Sequence, residues 1–253
     1  MPSVHLAEAP PQAEAEAAAA GGAEKRAYVR RMFGDIAPTY DRLNRLLSFG
    51  VDVRWRRRAI AELRLSERPR GVVLDLCAGT LDVGSAIVRT PGFAGTVIGA
   101  DFAVPMLAHG TGKAPRDRLL PVGADAMALP FADASCDGAI VAFGIRNVAD
   151  LDAGLREVRR VLRPGARFVI LEFMTPPNAL VRAGYHAYFH RLLPAIGRAV
   201  SGHPTAYAYL PKSVAHFPDG DRLAARMRDA GFADVRWRAQ TFGIAAIHVG
   251  TAG

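Results

Sequence analysis

The sequence predicts an α/β fold, a mostly parallel, doubly wound sheet of seven strands with an antiparallel C-terminal strand. Three observations carry this. From Val72 to Phe173, short apolar runs rich in β-branched residues alternate with helical stretches. A tight turn, Cys77-Ala78-Gly79-Thr80, parts the first run from its helix, and Asp101 ends the second run 22 residues after Gly79. At the C-terminus the runs Val235–Arg238 and Phe242–Val249 follow too closely for a crossover helix, so they should pair antiparallel.

Residues 1–24 are mainly Ala, Glu, Pro and Gly, carry a net charge of −4 and offer almost nothing to bury, which predicts a disordered tail. Residues 25–253 read as one domain. Its first part, residues 25–70, is expected to be a helical cap: Val29, Met32, Phe33 and Ile36 recur at i, i+3, i+4 and i+7. Pro38 breaks that face. Tyr40, Leu43, Leu46 and Leu47 begin another before Gly50, and Asp52 is placed to cap a third helix bearing Trp55, Ile60 and Leu63. Strands are expected at Val72–Leu76, Gly95–Asp101, Leu119–Val122, Asp137–Phe143 and Ala166–Phe173. Helices follow Asp82, start at Val104 and run from Asp150 to Leu162, where Arg163-Pro164-Gly165 reads as a stop. Residues 174–217 interrupt the alternation with a helical, aromatic-rich insertion, before a last helix over Asp219–Ala230.

Half of the chain is hydrophobic and 22% charged, enough for a packed core, which excludes disorder throughout. The longest uncharged stretch, after Arg238, is 15 residues, too short for a transmembrane helix. Cys77 and Cys136 are too few for a disulfide framework or a four-cysteine zinc site, and point to a reducing compartment. Residues 71–150 carry −3, between flanks of +8 (25–70) and +7 (151–253). Basic flanks suit an anionic membrane surface or nucleic acid, and an acidic centre suits a cationic ligand. No basic groove interleaved with aromatics is visible, so nucleic acid is set aside.

The turn Leu74-Asp75-Leu76-Cys77-Ala78-Gly79-Thr80 lets backbone approach a ligand closely, while Asp101 can reach a pair of ribose hydroxyls. A G-x-G-x-x-G pattern is absent, which argues against a pyrophosphate. S-adenosylmethionine has no phosphate and carries a cationic sulfonium, so it fits both the turn and the acidic centre. The alternative is a plain βα turn in which Asp75 caps a helix or bonds internally. Asp125-Ala126, after the third strand, can meet an adenine edge, or can be only an Asp turn before Leu129-Pro130. His186 and His190 lie at i and i+4 without a carboxylate partner, so no metal is expected.

Further blocks carry a resemblance. They are Met32-Phe33, Ala37-Pro38-Thr39-Tyr40-Asp41, Asn44 and Leu47-Ser48-Phe49-Gly50, then Phe143-Gly144-Ile145-Arg146-Asn147-Val148 and Leu171-Glu172-Phe173. Over about Tyr28–Gly250 the chain resembles the ubiquinone/menaquinone biosynthesis C-methyltransferases, a family of Rossmann-like class I S-adenosylmethionine-dependent methyltransferases. The resemblance implies methylation of a polyprenylated quinol ring, in the demethylmenaquinol step, the benzoquinol step of ubiquinone synthesis, or both. It implies Arg146, Asn147 and Tyr40 at the quinol, and Asp75, Gly79, Thr80, Asp82, Asp101, Asp125, Ala126 and Ala142 around the cofactor. Arg146 would stabilise a phenolate; its alternative is a strand-end salt bridge. The chain departs from the family at Leu81, where a glycine is usual, and at Ala142, where a serine is frequent. Leu81 is expected to crowd the cofactor loop. A cytoplasmic enzyme peripheral to the inner face of an anionic membrane is implied, as a homodimer or within a biosynthetic complex. Other acceptors, such as a lipid amine, and a silent scaffold of the same fold are the competing readings.

Overall fold

The computed structural model describes residues 23–37, 48, 50–187 and 204–253. Seven strands form one sheet in the order β3-β2-β1-β4-β5-β7-β6. They are β1 (Val72–Leu76), β2 (Thr96–Asp101), β3 (Leu119–Gly123), β4 (Cys136–Ala142), β5 (Leu162–Phe173), β6 (Phe232–Gln240) and β7 (Ala245–Ala252). β1 to β5 pair in parallel, and β7 runs antiparallel between β5 and β6. The carboxyl end of β6 therefore lies at the same edge of the sheet as those of β1 to β5.

Eight helices accompany the sheet among the described residues: α1 (Ala23–Ile36), α2 (Val51–Glu62), α3 (Asp82–Val88), α4 (Val104–Gly110), α5 (Leu151–Val161), α6 (Ala179–Ala187), α7 (Pro204–His216) and α8 (Gly220–Asp229). Strand alternation divides the core in two. Val73, Val97, Ile140, Val169 and Ile247 face α2 and α3, with Trp55, Ile60 and Ile87. Leu74, Leu76, Ala139, Val141, Phe168 and Ile170 face the other side, against Leu155 and Val158 of α5 and Leu223 and Met227 of α8. Both faces of the central strands are covered, which is why β1 and β4 read as apolar runs. Helix starts are fixed locally: Asp150 accepts from Ala153 N–H (2.9 Å), and Asp219 from Arg222 N–H (2.9 Å).

α1 lies off the sheet. Its Tyr28, Val29, Met32 and Ile36 form a separate small core with Tyr185 of α6 and Tyr209 and Val214 of α7. The periodicity of 29–36 thus buries against the insertion. The second helical face of the cap, from Tyr40 to Leu47, lies outside the described residues.

Three local expectations are corrected. Asp52 does not cap α2; Gly50, at φ 73°, holds that position, and Asp52 accepts from Ser48 Oγ at 2.5 Å. Arg163-Pro164-Gly165 belongs to β5, because Leu162 pairs with Cys136 of β4 and Gly165 takes the bend at φ 76°. Phe242 does not start the last strand; Thr241–Gly243 is a turn in which Phe242 has φ 56° and ψ 22°.

Candidate active site

At the carboxyl ends of β1 to β4 the chain makes four close turns around a cleft of about 700 Å³, mouth included. After β1 the backbone is left-handed at Cys77 (φ 52°), Gly79 (φ 53°) and Leu81 (φ 63°). After β4 it is left-handed again at Phe143 (φ 61°). The two turns touch: a Cβ on Gly144 would overlap Cys77 Cβ, so a side chain there would push the β1 and β4 loops apart.

Asp101 ties the first turn to the second. Its Oδ2 accepts from Gly79 N–H and its Oδ1 from Ala103 N–H, both at 2.8 Å. It is 7% exposed, and burial raises its pKa while the two backbone donors oppose that shift. Each carboxylate oxygen keeps a second lone pair, and the residue lines the cleft. Asp125 is held at the far wall, accepting from Met127 N–H (3.0 Å) and paired through Oδ2 with Arg26 of α1 (2.9 Å).

Of the residues the sequence singles out, Gly79, Asp101, Asp125, Ala126, Ala142 and Asn147 line this one cleft. Asp75, Thr80, Asp82 and Arg146 do not. Asp75 is fully enclosed, accepts from Gly84 N–H at 2.7 Å, and is pushed up to about 7 by burial. Thr80 is buried. Asp82 bonds Arg56 (3.2 Å) and Lys113 (2.6 Å). Tyr40 lies outside the described residues, as does His190. Among the described residues no three metal-binding side chains cluster.

Leu81 is turned away from the cleft. It is 1% exposed and packs in the core with Val97, Leu107 and Leu119. The expected crowding of the loop is therefore absent: backbone takes the left-handed turn, and the side chain leaves on the other side.

Arg146 and Asn147 share a single 3₁₀ turn, Ile145–Asn147, but face different ways. Asn147 lines the cleft, and its Oδ1 is buried with no hydrogen-bond partner among the described residues. Arg146 faces a second, fully buried polar group. Its Nη1 meets Glu172 Oε1 at 2.8 Å and its guanidinium lies 5.6 Å from the centre of the Phe173 ring. Burial raises the pKa of Glu172, and Arg146 acts against that. From α1, Lys25 donates through Nζ to Arg146 O at 2.8 Å. Lys25 is 8% exposed, has no carboxylate partner among the described residues, and is lowered to about 8, first by burial and then by Arg146. Tyr209 stands at the same place, 1% exposed, its hydroxyl without a partner among the described residues and its pKa pushed up to about 12 by burial. Among the described residues, two cations, Lys25 and Arg146, and one carboxylate, Glu172, meet here.

Sequence reading missed Lys25, Glu172 as Arg146's partner, and Tyr209. Glu172 stood in a quoted block, but its pairing needs the β4–β5 register; Lys25 and Tyr209 reach the site only because α1 and α7 pack together.

The cleft suits S-adenosylmethionine on its own chemistry. It offers acceptors at Asp101 and Asn147 and a βα turn without the glycine cradle of a pyrophosphate site. The comparisons agree. The sequence is 50% identical over 222 residues to the demethylmenaquinone methyltransferase of Thermus thermophilus, covering 87% of this chain and 99% of that one. It is 47% identical over 234 residues to the ubiquinone/menaquinone biosynthesis C-methyltransferase UbiE of Geobacter sulfurreducens, covering 91% and 90%. The fold matches a SAM-dependent methyltransferase from Thermotoga maritima at a TM-score of 0.62 and 16% identity, over 88% of this chain and 99% of that one. The model of the ubiE/COQ5 methyltransferase family matches residues 22–252, and the chain belongs to that family of S-adenosylmethionine-dependent methyltransferases.

Proposed function

We propose that this enzyme methylates a ring carbon of a polyprenylated quinol, converting a demethylmenaquinol to the menaquinol, or carrying out the corresponding benzoquinol step. The buried group around Arg146 is the observation that supports it: Lys25 and Arg146 stand together with Glu172, beside three tyrosines, Tyr28, Tyr185 and Tyr209. Two cations side by side suit a phenolate on the bound ring.

When bound, S-adenosylmethionine supplies the methyl as an electrophile on a sulfonium. On our reading Asp101 holds the ribose and Asn147 Oδ1 the amino group, while the acidic wall of Asp101 and Asp125 favours the cation. On the acceptor side the quinol hydroxyl gives up its proton to a water oriented by Arg146, and the Lys25 and Arg146 charges hold the phenolate. Its electron density appears at the neighbouring ring carbon, which would take the methyl from the bound donor, and the ring proton would then pass to water, restoring the aromatic ring. Catalysis is mainly positioning and charge placement. Tyr40 at the quinol, and Gly79, Ala126 and Ala142 along the cofactor cleft, belong to the same proposal. The isoprenoid tail stays in a bilayer, so the enzyme meets its substrate at an anionic membrane surface. Incubation with S-adenosylmethionine and a reduced demethylmenaquinone tests this: mass spectrometry should show one added methyl on the ring, and no transfer would refute it.

A further inference from the structure

Two large apolar side chains stand out of the surface at the carboxyl edge of the sheet. Phe242 is 80% exposed and Leu180 is 83% exposed. The segments that carry them touch: a Cβ on Gly243 would lie only 2.7 Å from Pro177 Cδ. Arg182, one turn into α6, donates to Pro176 O (3.3 Å) and Pro177 O (3.1 Å) and so fastens that segment. Phe242 also holds a left-handed backbone, strained for a non-glycine residue, while its ring stays exposed.

The surroundings carry more bases than acids. The α2 helix, residues 174–187 and residues 232–244 contribute Arg54, Arg56, Arg57, Arg58, Arg182, Arg236 and Arg238 against three acids, Asp52, Glu62 and Asp234. Arg56 is turned inward to Asp52 and Asp82, and Arg236 pairs with Glu62. The other five have no ion pair among the described residues. α2 is fixed against the turn by Trp55 Nε1 donating to Thr241 Oγ1 (2.9 Å) and Arg58 Nη1 donating to Gln240 Oε1 (2.7 Å). From there an aromatic series leads inward. Trp55 lies 6.3 Å from Phe173 between ring centres, and Phe173 lies 4.5 Å from Phe143, which lines the cleft.

We propose that the β6–β7 turn, with Leu180 beside it, inserts into the surface of an anionic phospholipid bilayer. Phe242 and Leu180 enter the acyl boundary, and Arg54, Arg57, Arg58, Arg182 and Arg238 meet the headgroups. The turn then marks where the quinol tail enters, and the series Trp55, Phe173, Phe143 is the apolar wall along which the ring reaches the cleft. The inference rests on the quinol reading and adds the surface through which it operates.

Phe242→Gly is the informative variant, because glycine accepts the left-handed turn and removes only the ring. Sedimentation with phosphatidylglycerol vesicles should show salt-reversible binding of the native enzyme and far less on phosphatidylcholine. Phe242→Gly and Leu180→Ser should each weaken binding about tenfold. With Phe242→Gly, melting temperature should hold or rise, and the loss in turnover should be confined to a long-tailed quinol, sparing a short, water-soluble one. Native-like vesicle binding by both variants would overturn the insertion, as would equal losses on both quinols. A native dimer that Phe242→Gly splits, with no vesicle binding, would assign the face to a second copy instead. Failure of the native enzyme on the short quinol would refute the quinol reading without touching the vesicle result.

Discussion

Leu81 and Gly99 occupy one space: a Cβ on Gly99 of β2 would overlap Leu81 Cδ2. Gly110 yields on the other side, where a Cβ would come within 2.8 Å of Leu81 Cγ. The leucine at a glycine position of the cofactor loop is thus housed in the core, by two residues that have no side chain of their own.

Leu81→Gly should therefore destabilise the protein without tightening the cofactor. Losing a fully buried leucine costs roughly 2–5 kcal/mol, and relief of the left-handed backbone returns about 1–2 kcal/mol. Gly99→Ala should destabilise on its own, and combining it with Leu81→Gly should recover part of the loss. Thermal melts of the three variants check this, and additive losses in the double variant would show that the two sites are not coupled.

Asp101→Ala should abolish calorimetric binding of S-adenosylmethionine and also lower the melting temperature. The carboxylate holds two backbone N–H groups, Gly79 and Ala103, and each, once orphaned, costs about 1–3 kcal/mol. Binding must be measured below the variant's own melting range. Retained affinity in a folded Asp101→Ala would move the ribose site elsewhere.

The sheet was legible in the sequence because its signals are local. β-branched runs, the βα turn and the Asp101 interval each lie within a few residues of what they determine. Phe242 was misassigned because its apolar neighbours Ile244 to Val249 continue into a true strand, and nothing in the letters marks the left-handed turn. The cofactor wall was largely readable, since strand ends in such a sheet converge. The charge group was not. Arg146 needs the β4–β5 pairing to find Glu172, Lys25 needs α1 to fold back across 121 residues, and Tyr209 needs α7 to pack on α1. Arg56 shows the same limit from the other side: a run of four near-contiguous arginines looks like one surface, yet one of them turns inward to two aspartates.

Asp75→Asn should leave cofactor affinity within about twofold at neutral pH, since the side chain serves Gly84 N–H inside the βα turn. Its pKa in the fold, about 7, lies above the ordinary 3.8, so between those values the folded state binds more protons. This contribution to stability is full below pH 3.8 and is lost as pH rises through 7. Denaturation across that window should show the slope in the native protein and not in Asp75→Asn. A large loss of binding in the variant would place Asp75 at the cofactor after all.

Lys25 carries the last expectation, with two readouts of opposite origin. Its pKa in the fold, about 8, lies below the ordinary 10.5, so the unfolded chain binds more protons between these values. The contribution to stability is full above 10.5 and is lost as pH falls through 8, and Lys25→Met should remove that slope. Turnover should run the other way. If the ammonium holds the phenolate, activity falls as pH rises above about 8, Lys25→Arg carries that limb to higher pH, and Lys25→Met flattens it. The charge-assisted contact is worth roughly 1.5–3 kcal/mol, so kcat/KM in Lys25→Met should fall about ten- to a hundredfold. A stability slope that vanishes while the activity profile stays unmoved would mean that Lys25 only fastens α1 to Arg146 O, and the phenolate would then depend on Arg146 alone.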